Sequence, residues 1–307
     1  MANNIDGQLK AFFDNFNGLK AVVLKDGEMI YPETIEGKAE IDNIIAKGTS
    51  VPNQYFDNGC WYERQSQNIP GLGAVTIFYD ITNTKVMAET DITTGLPIKR
   101  ALMAGVINHL KDIISNIEDM DKGFSFIMAD IDCFRNINNQ YGHGCGDIIL
   151  NRVAQTLAQS SRVVSNPDYQ RRPTDVVGRF GGEEFTIFWK DIKKEDSINK
   201  LSSIITEINK TRILYGGMEL ECPTVSFGLY YVSKEELKKL IDSLDYLPEE
   251  EMLKNLWDVL VHISDEALYV SKCTGKNRFT ITDDSEEDLL SGLTEDQKLE
   301  YKRYRNV

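Results

Sequence analysis

Residues 175–190 read "DVVGRFGGEEFTIFWK", two runs rich in β-branched and aromatic residues with a pair of glycines between them. Such runs predict strands, and paired glycines between strands predict a tight β-hairpin. The turn also carries two adjacent carboxylates, Glu183 and Glu184. Because neighbouring carboxylates repel each other, a cation or a well-hydrated surface is expected opposite them. Taken alone, a turn of this kind is more often a solvated surface than a site.

A second strand pattern upstream also ends in carboxylates. The run "GFSFIMADID" (123–132) predicts a buried strand, with Asp130 and Asp132 at its end. The two residues are separated by one position, so they project to the same side of the sheet. Asp132 fits a structural cap better than a ligand. The strand end is therefore a place where a ligand could be bound.

The stretch after this strand predicts a nucleotide site. We interpret "CFRNINNQYGHGCGD" (133–147) as a polar loop that leads into a helix. Free backbone N–H groups at such a start could hold phosphate oxygens, and Arg135 adds a positive charge. Asn138 and Asp147 supply amide and carboxylate groups that match the donor and acceptor edge of a purine.

Three segments can be distinguished along the chain. Residues 1–84 read as a small α+β unit, and strands and helices interleave over 85–283, which predicts an α+β domain around a central sheet. Residues 284–307 read as a charged tail, either solvated or forming a peripheral helix. The segment 91–114 predicts a long amphipathic helix. Its apolar face is formed by Leu102, Val106, Leu110 and Ile113.

The composition narrows the class of protein. The 307 residues include 34 Lys and Arg against 48 Asp and Glu, a net charge of -14, which argues against nucleic acid or an anionic membrane as a general partner. The five cysteines form no CxxC pair, and their odd number favours reduced thiols and a cytoplasmic location. The sequence contains no uninterrupted apolar run of about 18 residues, so no membrane span is expected.

Five motifs in order carry a family resemblance. The sequence resembles the GGDEF family of diguanylate cyclases over about 88–282, and the N-terminal unit more weakly resembles a PAS-like sensor domain. The resemblance implies a nucleotidyl cyclase or palm-like catalytic domain whose central sheet is mostly antiparallel and flanked by helices. The motifs are "DITTGLPIKR" (91–100), "DIDCFRNINNQYGHGCGD" (130–147), "RFGGEEF" (179–185), "TVSFGL" (224–229) and "DEALYVSKCTGKNRF" (265–279).

The resemblance implies a magnesium site made of oxygen ligands, with two Mg²⁺ ions in each active site. Its ligands would be the carboxylates of Asp130, Glu183 and Glu184 and the backbone carbonyl of Ile131. Oxygen ligands completed by substrate phosphates suit Mg²⁺. Zinc is not expected, because no Cys and His cluster has the required spacing.

The resemblance also implies how GTP is bound. Asn138 and Asp147 would read the guanine, with His143 as structural support, and two lysines of the last motif would hold the phosphate tail. Backbone amides around Phe134 and Arg135 would hold the other phosphates. The remaining residues of the implied substrate site are Gly181, Gly182, Lys272 and Lys276.

The implied reaction joins two GTP molecules into cyclic di-GMP and releases two pyrophosphates. The 3′-hydroxyl of one GTP would attack the α-phosphate of the other, with Glu183 as base or activator and Arg135 stabilising charge. Because each domain would hold one GTP, the reaction requires a homodimer, in which the N-terminal units orient the pair.

Product feedback and two other functions remain open at this stage. Arg172 and Asp175 have the spacing of the family's RxxD inhibitory site for cyclic di-GMP, although a surface ion pair explains them as well. An insertion precedes them and Pro173 stiffens the motif. The protein could instead be a weakly catalytic receptor for GTP or cyclic di-GMP, or a synthase of mixed cyclic dinucleotides.

Overall fold

The structure is a computed structural model that divides into two compact units, Met1–Ala88 and Glu89–Val307. Each unit is described by itself. The residues that the structure describes are 19–20, 23–25, 28–31, 54–57, 60–69, 73–81, 84, 88–161, 175–244, 247–282 and 293–299.

The described part of the first unit consists of antiparallel strands. Strands β1, β6, β5 and β4 form one sheet in that order, and β2 pairs with β3. A PAS-like role for this unit stays a prediction. The strands are β1 Leu19–Lys20, β2 Val23–Lys25, β3 Glu28–Tyr31, β4 Gln54–Asp57, β5 Cys60–Ile69 and β6 Gly73–Asp80.

The second unit is built on a central mixed sheet, which confirms the predicted fold class. Its strand order is β13-β12-β7-β9-β8, and every neighbouring pair is antiparallel except β12 with β13. A separate hairpin joins β10 to β11. The strands are β7 Gly123–Ile131, β8 Asp175–Arg179, β9 Glu184–Ile192, β10 Arg212–Tyr215, β11 Met218–Glu221, β12 Val225–Val232 and β13 Phe279–Thr282.

Helices cover both faces of this sheet. Side chains of α3 and α4 share a buried cluster with one face, and those of α1, α5 and α6 share a cluster with the other. None of the helices in the described ranges is long and apolar enough to cross a membrane. The helices are α1 Lys99–Ser115, α2 Phe134–Tyr141, α3 His143–Gln159, α4 Lys194–Lys210, α5 Lys234–Leu244 and α6 Glu249–Cys273.

Strand β7 lies at the middle of the sheet and is buried along its whole length. Phe124, Phe126 and Met128 belong to the cluster with α1 and α6, whereas Ile127 and Ala129 belong to the cluster with α3 and α4. The side chains alternate between the two faces with the period of a strand. Burial on both sides explains why the sequence is a nearly unbroken apolar run. The strand therefore holds its acidic end in a fixed position.

Two element boundaries differ from the sequence prediction. Helix α1 begins at Lys99 instead of residue 91, because residues 91–98 form a turn in which Asp91 N donates to Leu96 O at 2.8 Å. The predicted polar loop after β7 is largely helix α2, which Cys133 precedes in the left-handed conformation, with φ 57°. The apolar face predicted for α1 is buried as expected.

Candidate active site

The acidic end of β7 and the acidic hairpin turn meet through strand register. Asp130 lies opposite Glu184 in the antiparallel pairing of β7 with β9. The backbone N–H of Ile131, the last residue of β7, donates to the carbonyl of Glu183 at 3.3 Å. The structure thus brings together all four residues of the predicted ligand set, because β7 ends where the antiparallel neighbour β9 begins.

This cluster carries more negative than positive charge. Lys272 Nζ lies 2.8 Å from Asp130 Oδ2. Burial raises the pKa of Asp130, and the charge of Lys272 offsets that rise only in part. Burial, followed by the charge of Asp130, raises the pKa values of Glu183 and Glu184 as well. Like charges close together in a partly buried site favour binding of a cation.

Asp265 is a further carboxylate of this cluster that the sequence reasoning missed. Burial raises its pKa, and its charge contributes to the raised pKa of Glu184. Asp265 lies seven residues before Lys272 on α6, which is two helical turns and therefore the same face. That spacing is the signal that could have identified it.

The chemistry of the donors fits Mg²⁺ better than a soft metal. The clustered groups are carboxylate and backbone oxygens, and Mg²⁺ is usually bound by one or two carboxylates, waters and substrate phosphates. Within the described ranges, no three His, Cys, Asp or Glu side chains are arranged to hold a metal ion. A site that relies on few protein ligands and on the phosphates of its substrate agrees with both observations.

Asn138 forms the buried part of the predicted base site. Its Oδ1 atom is buried and has no hydrogen-bond partner within the described part of the chain. A Cβ added to Gly146 would lie 2.1 Å from this oxygen and 3.0 Å from Phe134 Cζ, so only glycine leaves room for the amide. A buried polar atom without a partner costs free energy, which a ligand donor could recover.

The other predicted nucleotide residues surround the two ends of α2. The side chain of Phe134 is 6% exposed and belongs to the core, so only its backbone is available to a phosphate. Arg135 is exposed near the start of α2. His143 and Asp147 are exposed in the first turns of α3. Their placement leaves all of these groups open to a ligand.

The two predicted phosphate lysines are separated by the end of a helix. Helix α6 ends at Cys273, and Gly275 and Lys276 follow with φ values of 125° and 60°. A left-handed backbone cannot continue a right-handed helix. Lys276 Nζ instead approaches Cys133 Sγ, at 3.3 Å, beside the start of α2.

Asp132 joins three segments of the site. Its carboxylate accepts hydrogen bonds from Thr224 Oγ1 at 2.6 Å, Ser226 Oγ at 2.8 Å and the backbone N–H of Asn277 at 3.1 Å. These bonds satisfy a side chain that is 6% exposed. Asp132 therefore has a structural role, as the sequence reasoning favoured.

Arg179 fixes the acidic hairpin and was missed from the sequence. Its Nη1 atom lies 2.9 Å from both carboxylate oxygens of Asp91. Its Nε and Nη2 atoms donate to the carbonyls of Gly181 and Gly182. Hydrogen bonds from Thr94 and Arg179 outweigh the effect of burial and lower the pKa of Asp91. One guanidinium therefore ties the turn to the segment that leads into α1.

The two hairpin glycines differ in how much space surrounds them. A Cβ on Gly181 would lie 2.5 Å from Glu184 Oε2, so a side chain there would displace the carboxylate. A Cβ on Gly182 would have no atom within 4 Å. Gly181 is therefore required by its close neighbour, whereas Gly182 leaves open surface beside Glu183.

The structure describes only one residue of the predicted feedback site. Arg172 lies outside the described residues. Asp175 begins β8, is 1% exposed and lies 3.3 Å from Lys200 Nζ. Product feedback therefore stays a prediction, because the arginine that would bind the product lies outside the described residues.

Comparison with known proteins identifies the family. Residues 88–278 match the family described as "Diguanylate cyclase, GGDEF domain". The chain belongs to the GGDEF family. This match confirms the resemblance inferred from the ordered motifs.

Among curated relatives, this GGDEF protein is similar to Diguanylate cyclase A of Treponema denticola, with 29% identity over 244 residues. These cover 78% of the chain and 55% of that relative. It is also 29% identical to Diguanylate cyclase DgcZ of Escherichia coli, over 76% of the chain and 66% of that protein. The chain thus spans between about half and two thirds of the length of these relatives.

Solved structures similar to this GGDEF protein include diguanylate cyclase SiaD of Pseudomonas aeruginosa in complex with its activator SiaC. The identity is 20% and the TM-score 0.48, covering 65% of this chain and 64% of that one. The GGDEF domain of DgcB from Caulobacter crescentus, in complex with c-di-GMP, is 22% identical with a TM-score of 0.46. That likeness covers 63% of this chain and 95% of the other.

Proposed function

We propose that the chain is a diguanylate cyclase, which condenses two GTP molecules into cyclic di-GMP and two pyrophosphates. The observation that carries this proposal is the pairing of Asp130 with Glu184 across β7 and β9, with Lys272 beside them. This arrangement supports the proposal because carboxylates that could bind a metal ion lie beside a cationic side chain that could bind phosphate. Family membership and the names of the curated relatives support the same reaction.

The proposed site uses Mg²⁺, with two ions in each active site. Asp130, Glu183, Glu184 and the carbonyl of Ile131 would hold them. When bound, Mg²⁺ would neutralise phosphate charge and lower the pKa of the attacking hydroxyl. The pKa values of the three carboxylates are raised because their negative charges are unfavourable in this environment. A bound cation would relieve this unfavourable charge.

The remaining residues of the chain would bind and orient GTP. Asn138 Oδ1 is buried without a partner within the described part of the chain, so it can accept a hydrogen bond from the guanine edge. Asp147 would accept from the same base, and His143 would support this pocket. The backbone N–H groups at the start of α2 would hold phosphate oxygens. Gly181 and Gly182 would allow the nucleotide to approach the hairpin.

Charge and proton handling would fall to four side chains. Glu183 would accept the proton of the attacking 3′-hydroxyl as a general base, or would activate this hydroxyl as a ligand of the bound metal. Arg135 would stabilise the charge that develops on the α-phosphate. Lys272 and Lys276 would hold the phosphate tail from the other side of the site.

We further propose that two copies of the chain act together in the cytoplasm. One GTP per catalytic domain requires a homodimer for each domain to supply one reactant. Residues 1–84 would be a PAS-like regulatory domain, residues 85–283 the catalytic domain and residues 284–307 a charged tail. Cyclic di-GMP, as product, would also inhibit through Arg172 and Asp175.

The proposal is tested by incubating the purified chain with GTP, ATP or both, with and without Mg²⁺, and identifying the products by mass spectrometry. We expect cyclic di-GMP only when GTP and Mg²⁺ are both present. Nucleotide binding without any product would instead favour a receptor. Products that contain adenine would favour a synthase of mixed dinucleotides.

A matched pair of variants separates chemistry from folding. Glu183→Gln should abolish turnover and retain nucleotide binding, because the amide keeps the shape of the side chain but not its basicity. Glu219→Gln, an exposed change on β11, should behave as wild type. Unchanged turnover in Glu183→Gln would remove Glu183 from the mechanism.

A further inference from the structure

A short C-terminal segment, residues 293–299, lies against the end of helix α6. Leu293 at its start is 5% exposed. Tyr269, on the penultimate turn of α6, donates its hydroxyl to the backbone carbonyl of Gln297 at 3.0 Å. The segment is therefore docked on the catalytic unit, where the sequence predicted a solvated tail or a peripheral helix.

The side chain of Gln297 makes contacts at both of its ends. Its Oε1 atom accepts from the backbone N–H of Thr294 at 2.9 Å and from Thr294 Oγ1 at 3.1 Å. The backbone N–H of Gln297 approaches Thr294 Oγ1 at 3.3 Å, which completes a capping box at the start of the helical turn 295–299. Its Nε2 atom donates to the carbonyl of Cys273 at 3.4 Å. One side chain thus starts the C-terminal turn and caps the last residue of α6.

The capped end of α6 carries the groups proposed to hold phosphate. Lys272 directly precedes Cys273 and reaches Asp130, and Lys276 follows in the next turn of the chain. On the side of the sheet, Ser271 Oγ donates to the carbonyl of Phe227 at 2.7 Å. The last carbonyls of a helix have no partner within it, and the side-chain amide of Gln297 supplies one for Cys273. Ser271 and Gln297 therefore hold the same helix end from two directions.

We propose that Gln297 is a positioning residue that fixes the end of α6 and thereby sets the affinity for GTP. This inference rests on the proposed function, in which Lys272 and Lys276 bind phosphate. Gln297 acts through Cys273 and has no role in the chemistry itself. A backbone that is already ordered loses less conformational entropy when its side chains bind a ligand. Loosening it should raise KM for GTP more than it lowers kcat.

The variant Gln297→Glu isolates the donor from the rest of the contact. Glutamate can still accept the bonds from Thr294 in a capping box, but it lacks the Nε2 donor. It also places negative charge beside the negative end of the helix dipole. Lys298→Ala is the matched control, because Lys298 belongs to the same turn and its side chain pairs with Glu295, within that turn.

Steady-state kinetics and amide hydrogen exchange of the full-length chain provide the readouts. For Gln297→Glu we expect KM for GTP to rise about three- to tenfold, the range that the loss of one or two hydrogen bonds produces, with kcat within about twofold. Amides at 274–276 should exchange faster, and those of β7 should not change. Tyr269→Phe, which removes one hydroxyl, should shift both readouts in the same direction. Lys298→Ala should match wild type.

Two results would overturn the inference. One is a Gln297→Glu variant whose KM and exchange at 274–276 equal those of wild type. The other is faster exchange throughout the catalytic unit with kcat falling as much as KM rises, which would indicate a general loss of structure. If the wild-type chain makes no cyclic dinucleotide, the proposed function fails, and exchange measured without GTP still decides whether Gln297 holds this helix end.

Discussion

At the scale of single residues, Gly146 shows how closely the proposed base site is packed. Adding one methyl group there would overlap Asn138 Oδ1 and press against Phe134. Gly146→Ala should therefore displace the amide and weaken GTP binding about tenfold or more. Calorimetric titration with a non-hydrolysable GTP analogue measures this. Gly105→Ala on α1 is the control, since its added Cβ would lie 3.4 Å from Val176, an ordinary contact.

The Glu184 carboxyl provides a pH-dependent prediction. Burial and neighbouring charges raise its pKa above the ordinary 4.5, so the folded chain binds this proton more tightly than the unfolded chain. Stability from this group is therefore lost as pH rises from 4.5 through the raised value. Glu184→Gln should raise Tm by about 1–2 °C at neutral pH. This gain in Tm should shrink as the pH falls below the raised pKa of Glu184. Its turnover should be lost.

Melting curves at several pH values check the sign of this effect. Glu207→Gln, an exposed change on α4, should leave Tm and turnover unaltered. A Glu184→Gln protein that melts below wild type at neutral pH would contradict the assignment of electrostatic strain to this cluster.

At the scale of elements, the hairpin of β8 and β9 depends on Arg179. Its side chain is 17% exposed, and its guanidinium donates hydrogen bonds to Asp91 and to two carbonyls of the turn. Arg179→Lys cannot reproduce this planar geometry, so the free energy of unfolding should fall by about 1.5–3 kcal/mol. Turnover should fall as well, because the turn carries Glu183. Chemical denaturation and product formation measure the two effects.

The control for Arg179 is a similar pair on the surface. Arg212 and Glu221 form an ion pair whose side chains are 42% and 83% exposed. Arg212→Lys should therefore change stability by less than about 0.5 kcal/mol. If both variants lose equal free energy of unfolding, the contact of Arg179 with the hairpin stabilises the protein no more than a surface ion pair does.

The sequence predicted elements where one local rule dominates. The apolar period of α1 identified Leu102, Val106, Leu110 and Ile113, and all four are buried. Helix α2 was missed because its short sequence is mostly polar, with Phe134 as its buried residue. The left-handed backbone that brings Lys276 beside Cys133 was also missed, since the motif does not reveal it.

Some residues of the candidate site could likewise be found from the sequence, and others could not. The strand pattern and the glycine turn located Asp130, Glu183 and Glu184 separately, and the family resemblance grouped them into one site. The contact of Arg179 with Asp91 joins positions 88 residues apart, and Gln297 lies 24 residues beyond Cys273. No local pattern predicts which distant segments fold together. These contacts could therefore be identified only in the structure.

At the scale of the whole molecule, the proposed dimer predicts a dependence on protein concentration. Residues 89–307, which form one compact unit, should bind GTP without the first unit. If the first unit brings two copies together, the specific activity of 89–307 should rise with its concentration, whereas that of the full chain should stay constant over the same range. Initial rates measured across a dilution series test this. If the specific activity of the full chain also rises with concentration, the first unit does not hold two copies together over this range.

The hydrogen bonds of Asp132 have a consequence for how the protein opens. One carboxylate fastens the end of β7, the beginning of β12 and the loop that carries Lys276. These segments cannot separate one at a time without stranding a buried anion. Local opening should accordingly release the three segments together. A partly opened molecule should therefore lose the whole candidate site at once, and intermediate levels of function should not arise from it.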